Sequence, residues 1–204
     1  MSILTPDTPA PPVAPAPRVD DAAMRDALSS FCTGVAVITV RRPDGRPAGM
    51  AVQSFASVSL DPPLVCFCPA KTSTTWPKIS AAGRFAVNLL AADQQELCRR
   101  FAVTGGDKFT GVDWRAGLNG APLLTTAPAT IECDLVDTLP GGDHVIALGR
   151  VTALTPADRV RDADPLLYFR RAYGSLRPFS PVPPRSPISS RSASIASARS
   201  RSEA

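Results

Sequence analysis

Residues 49–75, GMAVQSFASVSLDPPLVCFCPAKTSTT, decide how the rest of this chain can fold. The stretch begins as an alternating run and turns at Asp61-Pro62-Pro63. It resumes as the apolar run LVCFC and ends in a Lys-Ser-Thr loop in front of a short helix. Unpaired backbone N–H groups and hydroxyl groups converge where a strand meets a helix start, and such a place can hold a phosphate group. The pattern therefore favours a nucleotide-like ligand.

The segments on either side have the composition of β-strands. GVAVITVRR is rich in β-branched residues, and Pro43-Asp44-Gly45 supplies a turn into a second strand, predicted over residues 48–59. This second strand carries Gln53 and Ser54 within its apolar pattern, which indicates an edge strand or a strand that lines a ligand site. RFAVNLL, ATIECDLVDTL and HVIALGRVTAL predict further strands, and a tight turn at 140–143 joins the last two.

A first helix is predicted from Asp20 or Asp21, either of which can cap it. Met24, Leu28 and Phe31 then fall on one apolar face, and we expect that face to pack on the sheet.

A second helix, WPKISAAG, has Pro77 in its first turn and Gly83 at its end. The hydroxyl groups of residues 73–75 either only cap this helix or also contact a phosphate. A third helix, DQQELCRRFA, ends with Arg99 and Arg100, which either complement the helix dipole or bind a phosphate.

The composition, 44% hydrophobic and 20% charged over 204 residues, is typical of a globular protein with one main domain. No apolar run approaches the ~20 residues of a membrane helix, and the first 18 residues lack the pattern of a signal peptide. Five cysteines scattered through apolar segments suit free thiols in a reducing compartment. We therefore expect a cytoplasmic protein with no membrane association.

The net charge of +4 does not indicate a nucleic-acid partner. Five of the 22 basic residues but only one of the 18 acidic residues follow residue 176, so the preceding part of the chain is neutral. Residues 1–19, rich in proline and alanine, and residues 177–204, rich in serine, arginine and proline, are predicted to be disordered around a domain at 20–176. The role of the basic tail stays open.

The sequence has few residues that could carry catalysis by themselves. It contains no G-x-S-x-G motif, no Walker loop and no G-x-G-x-x-G motif, and its single histidine, His144, argues against a metal site. Within the sequence alone, His144 reads as a histidine at a turn edge with a backbone partner.

Several sequence blocks nevertheless resemble one protein family, and they occur along the chain in the same order as in that family. GMAVQSFASVSLDPPLVCFCP, TSTTWPKI, FAVNLL, LCRRFA, GGDH and PLLYFRRAYGSL are similar to the short-chain flavin reductases, over residues 20–176. These are reductase components of two-component flavin-dependent monooxygenases. The resemblance implies a mainly β fold with flanking helices, an FMN-binding split β-barrel of Greek-key-like topology. The cofactor would supply the hydride chemistry, which explains why catalytic motifs are missing.

The resemblance also implies site residues. Met50, Ala51, Val52, Gln53 and Ser54 match the segment along the flavin ring and ribityl chain, although many relatives have Thr-Ala-Asn-Ser at 51–54. The turn beside the ring is matched by Cys68, Pro69 and Ala70. The phosphate end is matched by Thr74, Thr75, Arg100 and Phe101. His144 matches a histidine at the nicotinamide-binding face.

The resulting prediction is a homodimeric NAD(P)H:flavin oxidoreductase that passes reduced flavin to a partner monooxygenase. FMN and FAD remain equal candidates, as do NADH and NADPH, and the partner's substrate is open. Two alternatives remain. One is a split-barrel flavoprotein that retains its FMN, similar to pyridoxamine-phosphate oxidase, and the other is a flavin-binding interaction module without turnover.

Overall fold

The computed structural model describes residues 19–156, 160 and 162–176. Within them the helices are α1 (Asp21–Ser29), α2 (Trp76–Ala82), a 3₁₀ helix (Ala92–Gln94) and α3 (Gln95–Ala102). The strands are β1 (Thr33–Gly34), β2 (Ala36–Arg41), β3 (Pro47–Val52), β4 (Ala56–Leu60), β5 (Pro63–Phe67), β6 (Arg84–Leu89), β7 (Trp114–Ala116), β8 (Pro122–Leu124), β9 (Thr130–Gly141), β10 (His144–Leu154), β11 (Leu167–Phe169) and β12 (Ala172–Gly174). Apart from Val19, the two segments predicted to be disordered lie outside the described residues.

Seven strands form the main sheet in the order β3-β2-β6-β9-β10-β5-β4, and all neighbours are antiparallel. The long β9–β10 hairpin lies at its centre. Gly141 pairs with His144, so Gly142 and Asp143 make the two-residue turn that the sequence predicts. Gly142 has a φ of 72°, which glycine adopts without steric cost. Smaller sheets pair β1-β11-β12 and β7-β8.

Both faces of β2 are covered, which explains its continuous apolar sequence. Ile38 and Val40 pack into one core cluster with Phe67 and Phe85. Val37 faces the other side and packs into a second cluster, which also contains Cys98 and Phe101 of α3, Phe109, Leu124 and Leu166. The second cluster places α3 directly beside β3.

The single strand predicted over residues 48–59 is wrong, because the structure has two strands there. β3 and β4 lie at opposite edges of the seven-stranded sheet, and residues 53–55 connect them. Ser54 bonds to Cys68 instead of continuing a ladder: its Oγ accepts from the Cys68 N–H at 2.8 Å and also lies 3.4 Å from the Cys68 carbonyl oxygen. The hydroxyl group thus satisfies the backbone where the strand is interrupted.

Helix α1 begins as predicted but packs differently. Asp20 caps it, since its Oδ1 accepts from the Ala23 N–H at 2.7 Å. The apolar face is exposed rather than packed on the sheet: Met24, Leu28 and Phe31 are 55%, 57% and 72% exposed. No helix in the described part of the chain has the length and apolarity needed to cross a bilayer.

Candidate functional site

A cavity of about 440 Å³ brings together residues from six parts of the sequence. We call it the His144 pocket. It is lined by Val35, Met50, Ala51, Val52, Gln53, Ser54, Cys68, Ala70, Cys98, Ala102, His144 and Tyr173. All five predicted residues of segment 50–54 are present, together with Cys68, Ala70 and His144. Pro69, predicted with them, is buried and does not line the cavity.

Backbone hydrogen bonds hold this pocket together. The N–H of Val145 donates to the Pro69 carbonyl at 3.0 Å, and the N–H of Lys71 donates to the Asp143 carbonyl at 2.9 Å. Ala70 forms an isolated bridge with His144. The segment after β5 is therefore attached to the turn of the β9–β10 hairpin, and the histidine comes to lie beside the turn at Cys68–Ala70.

His144 is oriented by a carboxylate, not by the backbone partner that the sequence alone suggested. Its Nδ1 lies 2.8 Å from Oδ1 of Asp143, and its side chain is 44% exposed. This hydrogen bond is the largest cause of a lowered pKa of Asp143. Since Nδ1 is engaged, Nε2 is the ring nitrogen left for a ligand, and within the described residues it has no hydrogen bond.

Sequence reasoning missed Cys98 and Tyr173, which meet in this pocket from positions 75 residues apart. The Cys98 Sγ lies 3.4 Å from the Tyr173 hydroxyl group. That hydrogen bond raises the pKa of Tyr173 to about 12, and burial raises the pKa of Cys98. Both groups are therefore protonated at neutral pH. The Arg99 guanidinium lies 5.7 Å from the Tyr173 ring centroid and covers one face of the ring.

A second cavity of about 590 Å³ begins where the His144 pocket ends along β3. We call it the basic pocket. Met50 to Val52 line the first cavity, whereas Pro47 to Gly49 line the second. The other lining residues are Arg42, Arg46, Thr74, Thr75, Lys78, Gly105, Gly106, Asp107, Lys108, Phe109, Thr110 and Trp114. The structure thus brings the predicted phosphate residues Thr74 and Thr75 together with four cationic side chains that sequence reasoning did not select.

Lys108 is the buried cation of the basic pocket. Its Nζ donates to the carbonyl oxygens of Gly49 and Phe101 at 3.2 and 3.1 Å. Burial lowers the pKa of Lys108, and the neighbouring charge of Lys78 lowers it further. An anion in the pocket would offset both penalties, because an opposite charge favours the protonated amine.

The three hydroxyl groups before α2 have separate roles. Ser73 caps the helix start, since its Oγ accepts from the N–H groups of Thr75 and Trp76 at 3.2 Å each. Thr75 is buried and its Oγ1 donates to the Gly49 carbonyl at 3.3 Å. Thr74 is exposed, and its hydroxyl group makes no hydrogen bond within the part of the chain that is described. The helix cap therefore does not use the Thr74 hydroxyl group, which remains available to a ligand.

Arg100 and Phe101 line neither pocket. The Nη1 of Arg100 donates to the Thr110 carbonyl at 2.6 Å, and its side chain faces a separate groove beside Gln94 and Val112. Phe101 is 1% exposed, and its ring lies so close to β3 that a Cβ at Gly49 would come within 2.7 Å of Cε1. Both residues instead contact residues that line the basic pocket: Arg100 donates to the Thr110 carbonyl, and the Phe101 carbonyl accepts from Lys108.

Comparison with known proteins points the same way as the geometry. The family model described as a flavin reductase-like domain matches residues 28–177. The reductase subunit HsaB of a flavin-dependent monooxygenase from Rhodococcus jostii is 46% identical over 168 residues, which cover 82% of this chain and 84% of that protein. The FMN reductase (NADH) SmoA of Agrobacterium fabrum is 43% identical over 150 residues, covering 74% of this chain and 83% of that protein.

Solved structures are also similar along their whole length. The NADH:FAD oxidoreductase SgcE6 of Streptomyces globisporus matches with a TM-score of 0.72 at 36% identity, covering 82% of this chain and 100% of that chain. The mainly β, split-barrel fold predicted from the sequence is confirmed.

Proposed function

The chain belongs to the flavin reductase-like family, and we propose that it is an NAD(P)H:flavin oxidoreductase that supplies reduced flavin to a separate monooxygenase. The observation that carries this proposal is the His144 pocket. It gathers the predicted ring-binding residues 50–54, Cys68 and Ala70 around one cavity with His144. When bound, the flavin accepts hydride from a nicotinamide, and the protein supplies binding and orientation.

The two pockets fit the two ends of a flavin nucleotide. Gly49 and Gln53 are four residues apart on or directly after β3, which places them roughly 13 Å apart at ~3.3 Å per residue. We assign the isoalloxazine to the His144 pocket, beside segment 50–54 and the turn at 68–70. The phosphate then meets Thr74, Lys78 and Lys108, at the end of the pocket that Thr75 lines. Arg100 and Phe101 position this end through Thr110 and Lys108 and do not contact the phosphate.

His144 is proposed to position the nicotinamide. Asp143 holds Nδ1, which fixes the direction of the ring and leaves Nε2 available as a hydrogen-bonding group. In this role the imidazole orients the substrate and takes no proton in the hydride step. NADH is the proposed reductant, since both of the named NADH-dependent relatives align with most of this chain.

A homodimer is proposed from the apolar surface that a single chain leaves exposed. Helix α1 has no buried residue, and the edge strand β4 exposes Val58 and Leu60 by 50% and 91%. A second copy could cover these side chains. The proposed cytoplasmic location is supported by the free thiols of the five cysteines, Cys32, Cys66, Cys68, Cys98 and Cys133.

The test is a steady-state assay that crosses FMN, FAD and riboflavin with NADH and NADPH. We expect oxidation of the nicotinamide only when flavin is added, and loss of flavin colour from the protein during gel filtration. Turnover with tightly retained yellow colour would favour the flavoprotein alternative. Absence of turnover with every pair would contradict the proposed function, and retained yellow colour would then favour the flavoprotein alternative over the interaction module.

A further inference from the structure

The basic pocket is larger than a phosphate group requires. Its volume of about 590 Å³ falls within the roughly 300–1,000 Å³ of pockets that enclose whole small molecules. Thr75 lies at one end, beside Gly49, whereas Arg42 and Arg46 belong to the turn between β2 and β3. A monophosphate at Thr74 and Thr75 would leave most of this space to another part of the ligand.

The charges in this space match a diphosphate. Arg42 and Arg46 share one carboxylate, with N–O distances of 2.8 and 3.3 Å to Oδ2 of Asp44. Asp107 is engaged with its own loop, since it accepts from Thr110 Oγ1 at 2.6 Å and from the Phe109 N–H at 2.9 Å.

The balance of charge follows from these contacts. The four cations Arg42, Arg46, Lys78 and Lys108 face the two carboxylates Asp44 and Asp107, which leaves two positive charges uncompensated. The side-chain amine of Lys78 makes no hydrogen bond or ion pair with any other described residue, so it is available to an anion. A diphosphate diester, with two negative charges, would neutralise this excess.

Trp114 adds an aromatic surface to the same space. The ring of Phe109 meets Trp114 edge-on, with centroids 6.2 Å apart and planes at 78°. β7 pairs with β8, and β8 is held in turn by Asn88, whose Oδ1 accepts from the Leu124 N–H at 2.8 Å. The half-buried indole is therefore fixed before any ligand arrives. Nucleic-acid bases stack on such aromatic side chains with little dependence on sequence.

Building on the proposed function, we propose that the basic pocket holds the diphosphate and adenosine of FAD, so that FAD is the preferred flavin. The adenine stacks on Trp114, and the diphosphate lies among Lys78, Arg42 and Arg46. FMN reaches only the end at Thr75, and riboflavin has no group for this pocket. The same adenosine diphosphate chemistry occurs in NADH, so the experiment must separate the two sources.

The experiment combines calorimetry with fluorescence titration on the full chain. We expect ADP to bind the protein and to compete with FAD but not with riboflavin. FAD should bind at least tenfold more tightly than FMN. Trp114→Leu should weaken FAD and ADP about tenfold and leave FMN and riboflavin unchanged, whereas Arg46→Gln should weaken FAD and ADP about fivefold. Arg115→Gln, an exposed neighbour that lines neither pocket, is the matched control.

Several results would overturn the proposal. One is equal affinity for FAD and FMN, and another is absence of ADP binding at millimolar concentration. A third is an ADP affinity that is unchanged in both Trp114→Leu and Arg46→Gln. A raised KM for NADH with unchanged FAD affinity in Trp114→Leu would assign the pocket to the nicotinamide nucleotide instead. ADP binding requires no turnover, so a protein that binds ADP and FAD through Trp114 but oxidises no NADH supports this pocket assignment and contradicts only the proposed function.

Discussion

The His144 pocket and the basic pocket lie along the same strand, β3, but are constructed differently. Most of the first pocket comes from one continuous segment and two turns; backbone hydrogen bonds join the turns to each other, and the Ser54 hydroxyl group joins the segment to one of them. The second depends on side chains from four separate segments, and its cations come from a hairpin turn, a helix and a loop. An uncharged ring can be bound by strand and turn surfaces, whereas a phosphate needs charges collected from many places.

A larger side chain at Gly49 should disrupt both pockets at once. Gly49 lies at their boundary, and a Cβ there would approach Phe101 Cε1 to 2.7 Å and the Ile38 carbonyl to 3.1 Å. We expect Gly49→Val to separate α3 from β3, displace Lys108 and lower the free energy of unfolding by about 3 kcal/mol or more. Urea unfolding measures this, with Gly34→Ala, which meets open space, as the control. A stable Gly49→Val protein with full flavin affinity would contradict the packing described.

A substitution at Lys108 should affect the basic pocket and not the His144 pocket, because only the basic pocket contains its charge. Lys108→Met is expected to raise the FMN dissociation constant about tenfold, or ~1.4 kcal/mol, and to leave riboflavin affinity unchanged. Fluorescence titration measures both ligands, and Lys71→Met, an exposed lysine outside both pockets, is the control. Equal losses for FMN and riboflavin would show that Lys108 only supports the fold.

The same variant tests the pH dependence of stability. The pKa of Lys108 in the folded protein is below its ordinary value of 10.5, so the unfolded chain binds this proton more tightly. The protonated amine therefore opposes folding at neutral pH, and this penalty decreases as the pH rises toward 10.5. The free energy of unfolding of the wild type should rise relative to Lys108→Met over that range. A constant difference would place the amine in a solvated environment.

A substitution at His144 should affect the His144 pocket and not the basic pocket, because His144 lines only the first. His144→Ala should lower kcat/KM for the nicotinamide about tenfold, the loss of one contact worth about 1 to 3 kcal/mol. Flavin affinity and melting temperature should stay close to wild type, because the side chain is 44% exposed and contributes little to the core. Steady-state kinetics and thermal unfolding on the same preparation decide the matter. Unchanged nicotinamide kinetics would remove His144 from the site.

Arg100 should have the smallest effect. Since it reaches Thr110 and not the pocket itself, Arg100→Ala is expected to raise the FMN and FAD dissociation constants only about threefold, roughly 0.6 kcal/mol, as for one exposed hydrogen bond. Riboflavin titration is the control. A tenfold loss limited to FMN and FAD would instead indicate the direct phosphate contact that the sequence resemblance implies.

The sequence predicts the first pocket better than the second for a physical reason. Residues 50–54 and 68–70 lie in one apolar stretch whose pattern is visible locally, and His144 follows a recognisable hairpin turn. Lys78 and Lys108 of the second pocket lie on a helix and a loop that no local pattern connects. Within the first pocket, the unpredicted pair Cys98 and Tyr173 meets only after β12 has paired beside β1 through β11. Such groupings are properties of the tertiary fold, and local periodicity carries no information about them.

The fold shows the same limit at two places. Alternation continues through Gln53–Phe55, so periodicity predicts one strand, although the hydrogen bonds of Ser54 to Cys68 divide it in two. The apolar face of α1 predicts packing, yet a sequence does not say whether the covering surface belongs to the same chain. The cap at Asp20, the end of α2 at Gly83 and the β9–β10 turn were predictable because each depends on neighbouring residues.

The double hydrogen bond of Ser54 restricts which substitutions this position can accumulate during evolution. A side chain there must accept from the Cys68 N–H and donate to the Cys68 carbonyl, and a hydroxyl group does both. Alanine would remove both hydrogen bonds beside the His144 pocket, at a cost of about 0.5 to 1.5 kcal/mol for such an exposed contact. Threonine is the natural alternative, so sequence drift at residue 54 is expected to be confined to hydroxyl-bearing residues.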